Sequence, residues 1–66
     1  MTNLKRIRKD LKLSQNQLAE ESAVNARMIQ HYEQGFKDIN KAQAITLYKL
    51  AQALNCKIED LLELEV

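Results

Sequence analysis

The chain holds no proline, no tryptophan, one glycine and one cysteine in 66 residues. Each scarcity closes off a class of structure. With Cys56 alone there is no intrachain disulfide, and a lone thiol suits a reducing cytoplasm better than a bridged, secreted scaffold. A zinc site is not expected, because His31 and Cys56 have no partners at ligand spacing. Without proline, and with only Gly35, tight hairpins lack their usual turn residues. No apolar run approaches the ~18 residues of a membrane span, and no signal peptide is expected after Met1. What is present is the composition of a folded globule, 45% apolar and 29% charged, and not that of a disordered tail. The length predicts a single domain over residues 1–66. A chain so short buries only about 60% of its unfolded surface, so it gains from a second subunit.

Net charge is only +1, but it is unevenly spread. Residues 1–13 carry Lys5, Arg6, Arg8, Lys9 and Lys12 against Asp10, whereas residues 57–66 carry Lys57 against Glu59, Asp60, Glu63 and Glu65. A basic pole of this kind can steer a polyanion without a high overall pI. A merely solvated helix face would carry the same charges.

Apolar residues recur at helical spacing along most of the chain: Leu4, Ile7 and Leu11; Leu18 and Ala19; Ile29, Tyr32 and Phe36; Ala44, Leu47, Tyr48, Ala51 and Leu54; Ile58, Leu61 and Leu62. The fold class is therefore all-α. Ser14 with Gln17 forms a capping box, and Leu13 with Leu18 a hydrophobic staple. Val24, Asn25 and Ile29 repeat the cap and staple, as do Ile39, Asn40 and Ala44, so Asn25 and Asn40 are both expected to cap helices. Asn55 can end the fourth helix in a left-handed conformation. The predicted helices are 3–11, 15–22, 26–34, 41–54 and 58–64. Only Ala23, Val24 and Asn25 separate the second from the third. Two short helices joined by three residues cross steeply, as in a helix-turn-helix.

At about 100° per residue, the third helix divides into two faces. Ala26, Arg27, Gln30, His31, Gln34 and Lys37 share an arc of roughly 140° that holds no acid. Its guanidinium and amides match base edges: Arg suits guanine O6 and N7, and Gln suits adenine N6 and N7. Met28, Ile29, Tyr32, Glu33 and Phe36 fall in the opposite, core-facing arc. Glu33 is out of place there, as is Arg8 between Ile7 and Leu11 on the first helix. Two misplaced charges of opposite sign predict a bidentate pair, Arg8 with Glu33, the alternative being that each snorkels separately to solvent.

Taken in order, Leu13-Ser14-Gln15-x-x-Leu18-Ala19, Val24-Asn25, Ile29-x-x-Tyr32-Glu33-x-Gly35, Leu50-Ala51-x-x-Leu54 and Ile58-x-x-Leu61 resemble the Cro/Xre-type helix-turn-helix of phage repressors. The resemblance covers nearly the whole chain. It implies a compact five-helix, lambda-repressor-like DNA-binding domain, with 15–22 as supporting helix and 26–34 as recognition helix. It implies base contacts from Ala26, Arg27 and His31. Gln15 would touch a phosphate or brace a recognition-helix side chain. Asn25 would bind backbone phosphate, with Gln30 and Gln34 near phosphates. It also implies the Arg8–Glu33 pair. There are departures. Ala23 and Lys12 stand where the family commonly has glycine, and Lys57 replaces a usual Ser or Asp cap. The segment Phe36 to Gln43 is about three residues longer than usual and lacks a common proline, which is expected to lengthen the fourth helix at its start.

The implied function is a sequence-specific transcriptional regulator, a repressor that occupies an operator on double-stranded DNA without cofactor or chemistry. An antitoxin of the same fold, or a protein-interaction module that has lost DNA binding, are the alternatives. The first would need a toxin-binding segment for which few residues are left, and the second would be favoured by an acid on the recognition arc. Ser14, Ser22, His31 and Cys56 make no nucleophile–base set, so an enzyme is not expected. A homodimer is expected through Leu62, Leu64 and Val66, with Leu61 facing the core and Glu63 and Glu65 at the rim. A monomer that pairs only on its operator is the other possibility.

Overall fold

A computed structural model describes residues 1–64 of the chain. Five α-helices follow one another: α1 (Asn3–Asp10), α2 (Gln15–Ser22), α3 (Ala26–Gln34), α4 (Ala44–Leu54) and α5 (Ile58–Leu61), with a 3-10 turn at Ile39–Lys41 between α3 and α4. No strand occurs among the described residues. The core is one apolar cluster fed by every helix: Leu4, Leu18, Ile29, Tyr32, Leu47, Leu50, Ala51, Leu54 and Leu61, joined by Val24 and Ile39 from the connections.

The local reasons for the first three helices lie in their caps. The Thr2 hydroxyl accepts from the Lys5 N–H at 3.2 Å and starts α1. Ser14 and Gln17 make the reciprocal box expected of them: Ser14 Oγ accepts from the Gln17 N–H at 3.0 Å, and Gln17 Oε1 from the Ser14 N–H at 2.8 Å. Asn25 Oδ1 accepts from the Arg27 N–H at 2.7 Å and starts α3. Left-handed residues end three helices: Ala23 (φ 59°) after α2, Gly35 (φ 83°) after α3 and Asn55 (φ 54°) after α4. Lys12, after α1, is left-handed as well (φ 60°).

The segment between α3 and α4 departs from expectation. Asn40 does not cap a lengthened fourth helix, which begins at Ala44 and not at residue 41. Asp38 takes the capping role two residues earlier, accepting from the Asn40 N–H at 2.9 Å, and this winds Ile39–Lys41 into a 3-10 turn. Ala42 and Gln43 are extended and separate that turn from α4. The Asn40 amide is drawn instead to the other end of the chain. Its Nδ2 donates to the Glu63 carbonyl at 2.9 Å and its Oδ1 accepts from the Glu63 N–H at 2.8 Å.

That same contact shortens α5, expected over 58–64, to one turn. Leu62 is extended (φ −73°, ψ 146°), and the chain is held straight beyond it. Asn3 Nδ2 donates to the Leu62 carbonyl at 2.8 Å, and the Glu63 carboxylate accepts from the Asn3 N–H at 2.6 Å. An anion at the first turn of α1 meets the positive end of the helix dipole. Lys57 offers no acceptor as a cap, and the Asp60 carboxylate serves by accepting from the Lys57 N–H at 3.0 Å.

Several expected core positions differ. Phe36 is 75% exposed, because the left-handed Gly35 turns the chain away from the α3 axis before it. Leu11 lies past the last residue of α1 and is half-exposed. On α4 the buried line is Leu47, Leu50, Ala51 and Leu54, so Leu50 takes the place given to Tyr48, and Ala44 is exposed. Leu61 is fully buried, as its spacing suggests, and Leu62 packs partly on the same core. Leu64 is exposed, and Val66 lies outside the described residues.

An alanine held at φ 59° carries a steric cost that glycine lacks. Ala23 is exposed, so no packing is lost by trimming it. Ala23→Gly is therefore expected to raise unfolding stability by about 0.5–1 kcal/mol, net of the extra freedom glycine gives the unfolded chain. Urea denaturation measures this, and a lowered midpoint would show that the turn carries no such strain.

Candidate nucleic-acid interface

The connection from α2 to α3 is fixed from within. The buried Ser22 hydroxyl donates to the Leu18 carbonyl at 2.6 Å and accepts from the Val24 N–H at 3.2 Å. One side chain thus ties the carbonyl one turn back in α2 to the first N–H past the turn. Val24 drops into the core and Asn25 opens α3. Nothing in the apolar periodicity marks Ser22. Its position one residue before the left-handed Ala23 is the signal that could have found it.

The rotation of α3 is set by a second node. Arg8 Nε donates to Glu33 Oε2 at 2.7 Å and Arg8 Nη2 to Glu33 Oε1 at 2.9 Å, a bidentate pair joining α1 to α3. The two side chains are 9% and 2% exposed, so both charges are taken out of water. The third guanidinium nitrogen donates to the Leu13 carbonyl at 2.7 Å, and Gln15 Nε2 donates to Glu33 Oε1 at 3.0 Å. Four segments of the chain converge here: α1, the turn after it, the start of α2, and α3. Among the described residues no buried side-chain polar atom lacks a partner. Gln15 thereby ties the start of α2 to α3 through Glu33.

With Ile29 and Tyr32 buried and Glu33 held by this node, α3 presents its other side outward. Arg27, Gln30 and Gln34 are exposed, and Ala26 and His31 are half-buried along the same face. Lys37, expected on this arc, lies past the left-handed Gly35 that ends the helix, and is exposed in a shallow groove with Tyr32, Asp38, Lys41 and Ala42. Asn25 is exposed, and its Oδ1 caps the helix, leaving the amide Nδ2 as the donor end. The arc residues that lie within α3, Ala26, Arg27, Gln30, His31 and Gln34, thus share a surface, with no carboxylate among them. A family model described as Helix-turn-helix, of the Cro/C1 type, matches residues 4–61. The chain belongs to that helix-turn-helix family. No curated protein and no solved structure gives a significant match. As a family member it is a DNA-binding regulator with the lambda-repressor-like fold, in a family that is not typically enzymatic. No helix among the described residues is long and apolar enough to cross a membrane.

On α1, Lys9 is exposed and Lys5 half-buried. Arg6 is exposed but engaged: it donates to Asn3 Oδ1 at 3.3 Å and lies 4.0 Å from the Asp10 carboxylate. With Asp10, Glu59 and Asp60 it lines an open groove of about 550 Å³ between α1 and the α4–α5 corner. Cys56 lines that groove too. Partial burial pushes its thiol pKa up and the nearby Asp60 carboxylate adds to the shift, so the thiolate form is disfavoured.

The residue that sequence reasoning misplaced most clearly is Phe36. Assigned to the core arc, it instead stands in solvent beside the polar face, with its ring edge-to-face on His31 (centroids 5.8 Å apart, planes at 80°).

Removing one member of a buried, hydrogen-bonded ion pair strands the other. Glu33→Ala is expected to cost about 3–5 kcal/mol, most of the stability of a domain this size. Replacing both members, as Arg8→Met with Glu33→Leu, should recover a large part of the loss. Thermal and urea midpoints of the two variants and the unaltered protein give the comparison. An unchanged midpoint for Glu33→Ala would mean that the pair contributes no constraint.

Proposed function

We propose that this protein is a sequence-specific transcriptional repressor that lays α3 in the DNA major groove and binds a palindromic operator as a homodimer. The observation that carries the reading is the acid-free, outward face of α3, held in a fixed rotation by the Arg8–Glu33 node. Ala26, Arg27 and His31 read base edges. Arg27 supplies a fork that matches guanine O6 and N7, and Ala26 allows close approach of the helix start. Gln30, Gln34 and Lys37 sit toward the phosphates, and Asn25 offers its amide donor to the backbone at the helix entrance. Gln15 acts by bracing Glu33. On α1, Lys9 and Lys5 are better phosphate contacts than Arg6, whose charge is shared with Asp10. Occupancy of the operator excludes other proteins from it, with no cofactor and no reaction. The setting is the cytoplasm.

One α3 spans few base pairs, so operator-level selection takes two copies on half-sites about 10 base pairs apart, or a multiple of that. The surface that suits a second copy is the tail. Leu64 is 64% exposed, just past a segment that Asn3 and Asn40 hold straight. Leu62 is partly committed to its own core, so Leu64 is the better anchor within the described residues.

Selection of bound duplexes from random sequence, followed by salt titration, tests the first part. Arg27→Ala is expected to weaken binding to the selected site by about 1–3 kcal/mol and to relax the preference at one base pair. Lys9→Ala should weaken all sequences alike and reduce the slope of log K against log salt by about 1. Absence of salt-dependent binding to any duplex would refute the proposal.

The dimer is tested separately by sedimentation across micromolar concentrations. Leu64→Glu should shift the protein toward monomer with little change in its melting midpoint. A monomeric mass at every concentration for the unaltered protein would leave pairing to the operator alone.

A further inference from the structure

We propose that Phe36 is a specificity-determining residue that packs on the C5-methyl group of a thymine, one or two base pairs from the pair met by His31. The inference rests on the DNA-binding reading of α3. Four observations carry it.

The first is cost. A phenyl ring that is 75% exposed forgoes the stability that its burial would give the fold. The second is fixation. The Phe36 N–H donates to the His31 carbonyl at 2.9 Å, the Lys37 N–H to the same carbonyl at 3.2 Å, and the Gly35 N–H to the Tyr32 carbonyl at 3.3 Å. The bonds close the end of α3, so Phe36 leaves the helix in a defined direction and not from a frayed end. Gly35 is required here by its φ of 83° and not by crowding, because nothing lies within 4 Å of where a Cβ would stand. A glycine that serves only to turn the chain has sent the phenyl ring outward.

The third is placement. The turn brings the ring against His31, on the base-reading side of α3, and not against Ile29 or Tyr32 on the core side. A centroid separation of 5.8 Å is less than two base-pair steps of about 3.4 Å, so imidazole and phenyl can reach neighbouring pairs. The fourth is chemistry. Every thymine shows a methyl group in the major groove, and it is the one apolar feature there for a phenyl ring to cover. Lys37, the next residue, can hold the adjacent phosphate and set the depth of approach. A ring fixed before binding loses little freedom on docking.

The test uses the full chain and the duplex it selects, with each thymine replaced singly by deoxyuridine, which deletes only the methyl. In each half-site one replacement should weaken binding about fourfold, the effect of losing one methyl-sized apolar contact. Phe36→Ala should bind the parent duplex about as weakly as the unaltered protein binds that uridine duplex, and should not distinguish the two. The variant should keep the guanine preference supplied by Arg27. Its melting midpoint checks folding, which an exposed ring should not affect. Tight binding with no uridine penalty at any position would overturn the proposal while leaving the DNA-binding reading intact. So would a penalty that persists undiminished in Phe36→Ala, or an effect of that variant on sedimentation alone, which would assign the ring to a second copy of the chain. Binding to no duplex would overturn both.

Discussion

The bidentate contact between Arg8 and Glu33 is the constraint from which the rest of the interface follows. It joins α1 to α3 through residues 25 apart in sequence, and its spare hydrogen-bonding capacity reaches two further segments through Leu13 and Gln15. Apolar side chains of similar volume could fill the same space at no loss of stability. They would hold α3 against α1 without fixing how far it turns about its own axis, since dispersion and burial are nearly non-directional. Two parallel hydrogen bonds between planar groups admit little rotation. For a helix that meets DNA through side chains on one face, a rotation of one residue's worth, about 100°, replaces every contact. The ion pair supplies geometry where the core supplies cohesion.

The turn before α3 shows the same division of labour. Val24 contributes apolar burial, and Ser22 and Asn25 contribute direction by occupying particular backbone groups. Ala23 carries the left-handed residue at some steric cost. In exchange the alanine has less freedom than glycine in the unfolded chain, so the net penalty is small. Lys12 bears the same burden after α1, where the Leu13 carbonyl is held by Arg8. Both strained turns are tied within one or two residues to a buried polar side chain, which is how a small domain can hold them in place.

Those features of the fold that depend on neighbours in sequence were legible in the sequence. The Ser14 box, the Asn25 cap, the Asn55 terminus and the two faces of α3 all rest on residues within four positions of one another. The Arg8–Glu33 pair is long-range, yet it was legible because each charge broke an apolar stripe. Asn40 shows where such reading stops. Like Asn25, it follows a buried aliphatic residue and precedes another apolar residue by four. The outcome differs because Asp38 competes for the cap and because the Glu63 main chain, 23 residues away, offers the amide two partners. Neither α5 nor the start of α4 could be bounded without that contact. Phe36 failed for a different reason: helical periodicity was carried one residue past a glycine that ends it. The polar residues that counting put on one arc of α3 do lie exposed or half-buried along it, whereas counting assigned the exposed Phe36 beside them to the core.

The charge distribution argues for how selection is achieved. With a net charge of +1, sequence-independent attraction to phosphate is weak. Part of the basic pole is also spent internally. Arg8 is buried against Glu33, and Arg6 lies beside Asp10 in a groove shared with Glu59 and Asp60. Of that pole Lys9 and Lys12 remain exposed, with Lys5 half-exposed. Few phosphate contacts mean that any duplex is held loosely and released readily, and that the ratio between a matched and an unmatched site must come from base edges. On that argument the short, acid-free face of α3 has to supply discrimination that a more basic protein could supplement with bulk affinity. In the proposed complex, a rigid mounting for that face and a second copy that doubles its reading length are the two means a chain of this size would have to supply it.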